Sequence, residues 1–247
     1  MAALGTVEFW DSFHGREVEG PTEWYLPLDV VVHEVLRVYS ALKASLRAER
    51  GRPHGRGLQQ QQRGGGRDAR ISPRVLHPGC GSSTLGVVLQ RDHGCDVVNS
   101  DFSEGVLDVM RARYPGFDFV PSDARSSAFP DGSFDLTVDK GLFDSVTAGT
   151  HGRKETARAF LGEAARVLSA GGKYMLFSAF SNDGLGHKDM AEMLSHSGFG
   201  EGVEIRVLDT PPLEYPDQTS SYLYILTKGG SACSERETQG GAPTAPV

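Results

Sequence analysis

Two glycines separated by one residue follow a short apolar run, in the sequence Pro78-Gly79-Cys80-Gly81-Ser82. Glycine tolerates the left-handed backbone of a tight turn and lets a ligand approach the main chain closely. A helix that begins near Ser82 would point its free N–H groups at the same ligand. The pattern favours a nucleotide-like ligand. A pyrophosphate is less favoured, because a complete GxGxxG motif would need a third glycine where Thr84 stands.

Acidic residues follow the next two strand-like runs. Asp101 comes 20 residues after Gly81, a distance at which a carboxylate reaches the ribose hydroxyls of a nucleoside. The alternative is that Asp101 caps the next helix, although Ser103 is the better placed cap. Asp123 precedes Ala124 after the third run and could accept a hydrogen bond from an adenine amino group. Its alternative is a plain turn residue, since aspartate favours turns.

The fourth strand-like run ends in Asp139-Lys140-Gly141. Ligands of open α/β sheets bind outside the carboxyl ends of the strands, and the apolar periodicity of this run does not require charges there. We therefore expect the four strand ends to form one crevice.

The elements that must position these residues alternate between strand and helix patterns. Apolar residues at helical spacing predict a helix over about 27–47. Strands are predicted at 74–77, 96–99, 117–120, 134–139, 173–178, 203–209 and 221–227, and helices from Ser82, from Ser103, over 153–168 and near 187–197. The alternation predicts an α/β fold with a doubly wound, Rossmann-like sheet of seven strands, mostly parallel. The last two strands are too close in sequence for a crossover helix, so one strand near the C-terminus is expected to be antiparallel.

Composition narrows the classes of protein. The chain has 247 residues and a formal charge of −7, which argues against general nucleic-acid binding. The exception is weak nucleic-acid contact by residues 47–70, which carry a local charge of +5. Their composition predicts a flexible insertion. The rest of 1–228 is predicted to form a single domain around it. Residues 229–247 read as a disordered tail. The three cysteines lack CxxC spacing, so no metal centre is expected and a reducing compartment fits. The sequence also shows no apolar membrane span and no targeting pattern in residues 1–15, so we expect a cytoplasmic protein.

Taken together, these motifs resemble the class I S-adenosylmethionine-dependent methyltransferases. More closely, the chain resembles the methyltransferase-like branch of lysine methyltransferases that act on elongation factor 1-alpha and on citrate synthase. The resemblance covers about 7–228, interrupted by 47–70. It is carried by Phe9-Trp10-Asp11 with Phe13 and His14, by Glu23-Trp24-Tyr25, by the 78–85 turn, by Asp101-Phe102-Ser103, by 129–135 and by Asp139-Lys140-Gly141.

The resemblance implies the cofactor S-adenosyl-L-methionine and a protein substrate that presents a lysine. The residues it assigns to the cofactor are Trp10, His14, Trp24, Gly79, Cys80, Gly81, Asp101, Phe102, Asp123, Ala124 and Lys140. Two positions depart from the family: His14 stands where tyrosine is usual, and Ser82 where asparagine is usual. Without the resemblance, the tryptophans would be read as core residues.

Methyl transfer to lysine needs a neutral amine, and the ordinary lysine pKa is about 10.4. We expect Asp139 to be the catalytic residue that holds the incoming ammonium beside the methyl group. The alternatives are a small-molecule methyltransferase, a citrate synthase lysine methyltransferase and a non-catalytic module that binds the cofactor. Methylation of DNA or of glutamine is disfavoured, because those enzymes carry an Asn/Asp-Pro-Pro-aromatic tetrapeptide where this chain has Asp139-Lys140-Gly141-Leu142.

Overall fold

The computed structural model describes residues 6–14, 22–50, 71–148, 153–178, 199–209 and 221–229. Within these ranges the helices are α1 (Val7–His14), α2 (Leu28–Arg50), α3 (Leu85–His93), α4 (Glu104–Arg113), α5 (Leu142–Thr147) and α6 (Arg153–Val167). The strands are β1 (Arg74–Pro78), β2 (Asp96–Asp101), β3 (Asp118–Pro121), β4 (Phe134–Lys140), β5 (Leu168–Ser178), β6 (Phe199–Leu208) and β7 (Ser221–Lys228).

The seven strands form one sheet in the order β3-β2-β1-β4-β5-β7-β6. The first five strands pair in parallel, and β7 runs antiparallel to both β5 and β6. The predicted fold class is therefore confirmed, including the antiparallel strand near the C-terminus. Because β1, β2, β3 and β4 are parallel, their carboxyl ends lie at one edge of the sheet, where the candidate ligand residues follow.

Alternation along each strand sends side chains into two apolar cores. Val75 and Leu136 pack against α2 and α3 on one face. Leu76 and Tyr174 pack against α6 on the other face. The helix predicted over 27–47 owes its position to residues at helical spacing that are buried under the sheet, such as Val35.

Several boundaries differ from those expected. Helix α2 continues to Arg50, into the predicted insertion, because residues 47–50 are mostly good helix formers. Strand β5 begins at Leu168, before the predicted start at 173, and Gly171 lies inside its irregular first part, with φ +74°. The two short helices α1 and α5 were not predicted. The helix expected near 187–197, the remainder of the insertion at 51–70 and tail residues 230–247 lie outside the described residues.

In the described part of the chain, the helices are all too short or too polar to cross a membrane.

Candidate active site

The glycine turn follows β1 and has the backbone that its sequence predicts. Gly79 and Gly81 have φ of +58° and +48°, in the left-handed region that favours glycine. A Cβ at position 79 would lie 2.7 Å from Leu142 Cδ1, and one at position 81 would lie 3.2 Å from His14 Cε1. The turn is thus bare backbone between the start of α5 and the end of α1.

Cys80 contributes only its main chain to this turn. Its side chain is buried against α4, and burial raises the pKa of the thiol well above its ordinary value. Its amide donates to the Ser100 carbonyl at 3.0 Å, which ties the turn to β2. A nucleophilic role for this cysteine has no support in such an environment.

Asp101 connects the glycine turn to the start of α4. Its Oδ2 accepts from the Gly81 amide at 2.9 Å and its Oδ1 accepts from the Ser103 amide at 3.0 Å. Ser103 is the N-cap of α4, with its Oγ 3.5 Å from the Val106 amide. Burial raises the pKa of Asp101. The carboxylate therefore lies at the mouth of the turn, where it organises backbone that a ligand would meet.

An aromatic lid covers the turn. We use this name for Phe9, Trp10, Phe13 and His14 of α1 together with Trp24. The Trp10 ring lies 5.6 Å from His14 and 6.2 Å from Trp24, and Phe13 lies 5.7 Å from Trp24, between ring centroids. Helix α1 buries none of its residues completely. It is attached by these ring contacts and by a hydrogen bond from Ser103 Oγ to Asp11 Oδ1.

A strap, residues 22–26, lies between the lid and the sheet. Glu23 Oε1 accepts from the Thr84 amide at 2.9 Å, and Oε2 accepts from Ser83 Oγ at 2.9 Å. The Lys140 ammonium lies 2.8 Å from the same Oε2. Burial alone would raise the pKa of Glu23, but Lys140 and the hydrogen bonds hold it below its ordinary range. Glu23 thereby joins the glycine turn to the end of β4.

Asp139 and Lys140 point to opposite faces of the sheet, as neighbouring strand residues must. Asp139 Oδ1 accepts from the Leu142 amide at 2.9 Å, and both of its oxygens lie within 3.3 Å of the Phe143 amide. The Tyr174 hydroxyl donates to Oδ2 at 2.6 Å. Burial raises the pKa of Asp139 to about 6, although these donors act in the opposite direction. The carboxylate is fully buried and holds the first turn of α5.

The loop after β3 carries the third predicted position. Both oxygens of Asp123 contact the guanidinium of Arg125, with Nη2–Oδ2 at 2.7 Å, and this pairing lowers the pKa of Asp123. Ala124 packs against the core, and Phe102, after β2, is half-buried. A cavity below this loop is lined by Pro78, Ser100, Ser122, Ala124, Phe129 and Thr137, among others.

A buried polar pair lies on the sheet behind the glycine turn. His77 Nδ1 is 3.2 Å from Asn99 Oδ1, and Asn99 Nδ2 donates to the Asp118 carbonyl at 3.2 Å. Burial, with a smaller effect from Lys140, lowers the pKa of His77 to about 4. A Cβ at Gly86 would overlap the Asn99 side chain, so this glycine makes room for the pair. His77 is a structural residue here.

The structure thus brings the glycine turn, Asp101, Lys140, His14 and the two tryptophans together at one edge of the sheet. Sequence reasoning gave no role to Glu23 or to Tyr174. Strand alternation could have predicted that Asp139 and Lys140 face opposite sides of the sheet. Nothing local in the sequence identifies their partners, because Trp24 is 116 residues from Lys140 and Tyr174 is 35 residues from Asp139.

Comparisons with known proteins find similarity to methyltransferases. Residues 76–176 match the family described as "Methyltransferase domain". A bovine protein named "eEF1A lysine and N-terminal methyltransferase" is 29% identical over 185 residues, covering 71% of this chain and 22% of that protein. Bovine "EEF1A lysine methyltransferase 4" is 32% identical over 145 residues, covering 53% of this chain and 57% of the relative. The chain therefore spans about a fifth of the first relative and just over half of the second.

A crystal structure of a SAM-dependent methyltransferase from Methanosarcina mazei is 18% identical and superposes with a TM-score of 0.51. It covers 64% of this chain and 92% of its own. At this identity the likeness shows the fold alone. Together with the family match over residues 76–176, it confirms the resemblance predicted from the strand ends: the chain is similar to the class I methyltransferases and has their fold.

Proposed function

We propose that the protein is an S-adenosylmethionine-dependent protein-lysine N-methyltransferase that acts on elongation factor 1-alpha or a similar protein. The observation that carries the proposal is that three features meet at one edge of the sheet. They are the glycine turn, the buried carboxylate of Asp101 and the aromatic lid. The names of the similar proteins supply the acceptor, a lysine of elongation factor 1-alpha.

The residues fit this cofactor. A Cβ at Gly79 would overlap Leu142 and one at Gly81 would press on His14, so glycine keeps side chains out of a turn whose main chain a nucleoside must approach. Asp101 would accept from the ribose hydroxyls, since a carboxylate has about four acceptor positions. Asp123 and Ala124 would contact the adenine, and the Trp10, His14 and Trp24 rings would cover the ligand. When bound, the cofactor supplies an activated methyl group on a sulfonium.

The protein's own task is to orient an amine and to favour its neutral form. In the proposal Asp139 provides negative charge at the end of β4 and acts on the substrate amine from a buried position. Its pKa of about 6 leaves it ionised at neutral pH. Because its oxygens already hold α5, we assign it the orientation of the amine rather than strong general-base catalysis.

The first relative's name also includes N-terminal methylation, so an α-amine is the second acceptor that the comparisons favour. Its ordinary pKa is about 7.7–8.0, so an α-amine would need less help to lose its proton than lysine.

The test is transfer of labelled methyl groups from S-adenosylmethionine to purified, unmethylated elongation factor 1-alpha and, separately, to a demethylated lysate. We expect methyl-lysine, located by mass spectrometry, and none with the Asp101→Ala variant. The variant Asp131→Asn, at an exposed residue outside the site, is the active control. Label on an N-terminal amine, on citrate synthase or on a small molecule would identify that group as the acceptor in place of a lysine of elongation factor 1-alpha. Cofactor binding without any transfer would overturn the assignment as an enzyme.

A further inference from the structure

We propose that Glu23 and Lys140 are positioning residues, whose buried ion pair fixes the strap so that Trp24 meets the α1 rings of the aromatic lid. On this proposal the Lys140 ammonium serves the strap, whereas the family resemblance assigns it to the cofactor. The inference rests on the proposed function in one respect: the lid is taken to close over a bound cofactor.

The contacts of Lys140 support the strap. Its side chain is 1% exposed, and its ammonium lies 2.8 Å from Glu23 Oε2 and 3.4 Å from the Trp24 carbonyl. Both partners belong to the strap. Since a buried ammonium needs a close countercharge, the Glu23 carboxylate explains why a lysine can be buried at the end of β4.

The contacts of Glu23 extend this link to the glycine turn. Its carboxylate also accepts from the Thr84 amide, from Thr84 Oγ1 at 3.1 Å and from Ser83 Oγ. A second contact runs parallel to it, because the Thr22 amide donates to Ser82 Oγ at 3.1 Å. The strap therefore joins the residues that begin α3 to the end of β4, on either side of the glycine turn.

The backbone of the strap needs such support. Tyr25 has φ +66°, which a residue with a bulky side chain rarely adopts. The Leu26 amide donates to the Trp24 carbonyl at 2.8 Å, which closes a γ-turn around Tyr25. That carbonyl is the one the Lys140 ammonium approaches. A strained turn persists only when several surrounding contacts hold it in place. The ion pair is one of these contacts.

The turn also sets the direction of the neighbouring rings. A Cβ at Gly141 would lie 3.0 Å from Tyr25 Cε2, so the tyrosine ring packs directly on the residue after Lys140. Leu26 is fully buried. With Tyr25 and Leu26 anchored below, Trp24 is left to meet Trp10 and Phe13 of the lid.

Fluorescence tests the proposal without any ligand, because Trp10 and Trp24 are the two tryptophans of the chain. In a Trp10→Phe background only Trp24 emits. We expect Glu23→Gln and Lys140→Met each to raise acrylamide quenching of Trp24 about twofold or more and to shift its emission, since breaking a buried pair releases the strap. Asp131→Asn, which removes the exposed ion pair with Arg166 at 2.6 Å, is the matched control and should change neither signal.

Ligand binding separates positioning from direct contact. We compare S-adenosylmethionine with 5′-methylthioadenosine, which lacks the amino acid portion. If the pair positions the strap, Glu23→Gln and Lys140→Met weaken each ligand by similar factors. If Lys140 binds the cofactor itself, Lys140→Met weakens S-adenosylmethionine alone, Glu23→Gln has little effect and Trp24 emission is unchanged. That pattern would overturn the proposal, as would wild-type quenching in both variants.

The double variant Glu23→Gln/Lys140→Met protects the test against misfolding, because it leaves neither charge buried alone. We expect its effect on quenching to be no larger than that of the stronger single variant, as residues of one interaction are not additive. Additive effects would overturn the proposal. A protein that shows these quenching changes but transfers no methyl group would contradict the proposed function and leave the strap assignment intact.

Discussion

Replacing Asp139 by asparagine keeps the shape of the side chain and removes its charge. In the folded protein burial raises the pKa of Asp139 to about 6, from an ordinary 3.8. The folded state therefore binds the proton more tightly than the unfolded state. The stabilisation from Asp139 is complete below its unfolded pKa and is lost as the pH rises through the folded pKa. At about 1.36 kcal/mol for each pH unit, the loss is about 3 kcal/mol.

Asparagine does not titrate, so Asp139→Asn lacks this loss. Its oxygen can still accept from the amides of Leu142 and Phe143 that now contact Oδ1. We expect the free energy of unfolding of the variant, minus that of the wild type, to increase by about 3 kcal/mol between about pH 4 and pH 7. Urea unfolding followed by circular dichroism at several pH values measures the difference, and other titrating groups cancel in it.

The wild-type curve alone would hide the effect. Burial lowers the pKa of His77 to about 4, from an ordinary 6.5. The unfolded state then binds the proton more tightly, and stability from this residue is gained as the pH rises over that window. Its contribution, also about 3 kcal/mol, opposes that of Asp139, so the variant's own curve should rise more steeply with pH than the wild-type curve. A variant-minus-wild-type difference that does not change with pH would refute the assignment of a raised pKa to Asp139.

Turnover of the same variant should fall, although its stability relative to the wild type increases with pH. If Asp139 orients the substrate amine, Asp139→Asn lowers kcat strongly and leaves cofactor affinity near the wild-type value. Unchanged turnover with intact cofactor binding would remove Asp139 from the mechanism, whatever its effect on stability.

Three further substitutions, the last of them a control in α6, test the surroundings of the site. Tyr174→Phe removes a donor that lowers the pKa of Asp139, so the acidic limb of the pH–rate profile should move above pH 6, and a limb that stays in place would contradict this coupling. Gly86→Ala should destabilise the fold by about 2 kcal/mol, since the new methyl displaces the buried Asn99 side chain and the loss of its hydrogen bonds outweighs the gain in helix propensity. Gly162→Ala, in a helix with open space at the same atom, should stabilise by about 1 kcal/mol, and equal effects at the two glycines, measured by urea unfolding, would refute the packing argument.

Much of the sheet was predictable because most of its strands are apolar runs, several of which alternate with helix patterns along the chain. The glycine turn was predictable for a related reason, since the left-handed backbone at Gly79 and Gly81 is a local property of the residue type. Helix α5 was missed because it has six residues and its first turn is held by Asp139, which belongs to the preceding strand. Helix α1 was missed because its aromatic residues read as a motif rather than as one face of a helix.

The partners of charged residues could not be predicted from local patterns. Lys140 is 117 positions from Glu23 in the chain, and its ion pair depends on how the strap crosses the sheet. Asp123 illustrates the opposite case: its contact with Arg125 is two residues away, yet the sequence equally allowed a turn or a ligand contact. Alternation fixes the face on which such a side chain lies, whereas the fold determines which group it meets.

The place of β7 in the sheet has a consequence for biosynthesis. This strand follows β6 in sequence but lies between β5 and β6, which do not pair with each other. On the ribosome, β5 and β6 emerge first and wait for residues 221–228 before either gains its native neighbour. During that interval the edge of β5, with the apolar side chains of Leu176 and Phe177, lacks the strand that later covers it. Exposed strand edges of this kind promote aggregation, so this chain should depend on chaperones in the seconds before β7 leaves the ribosome.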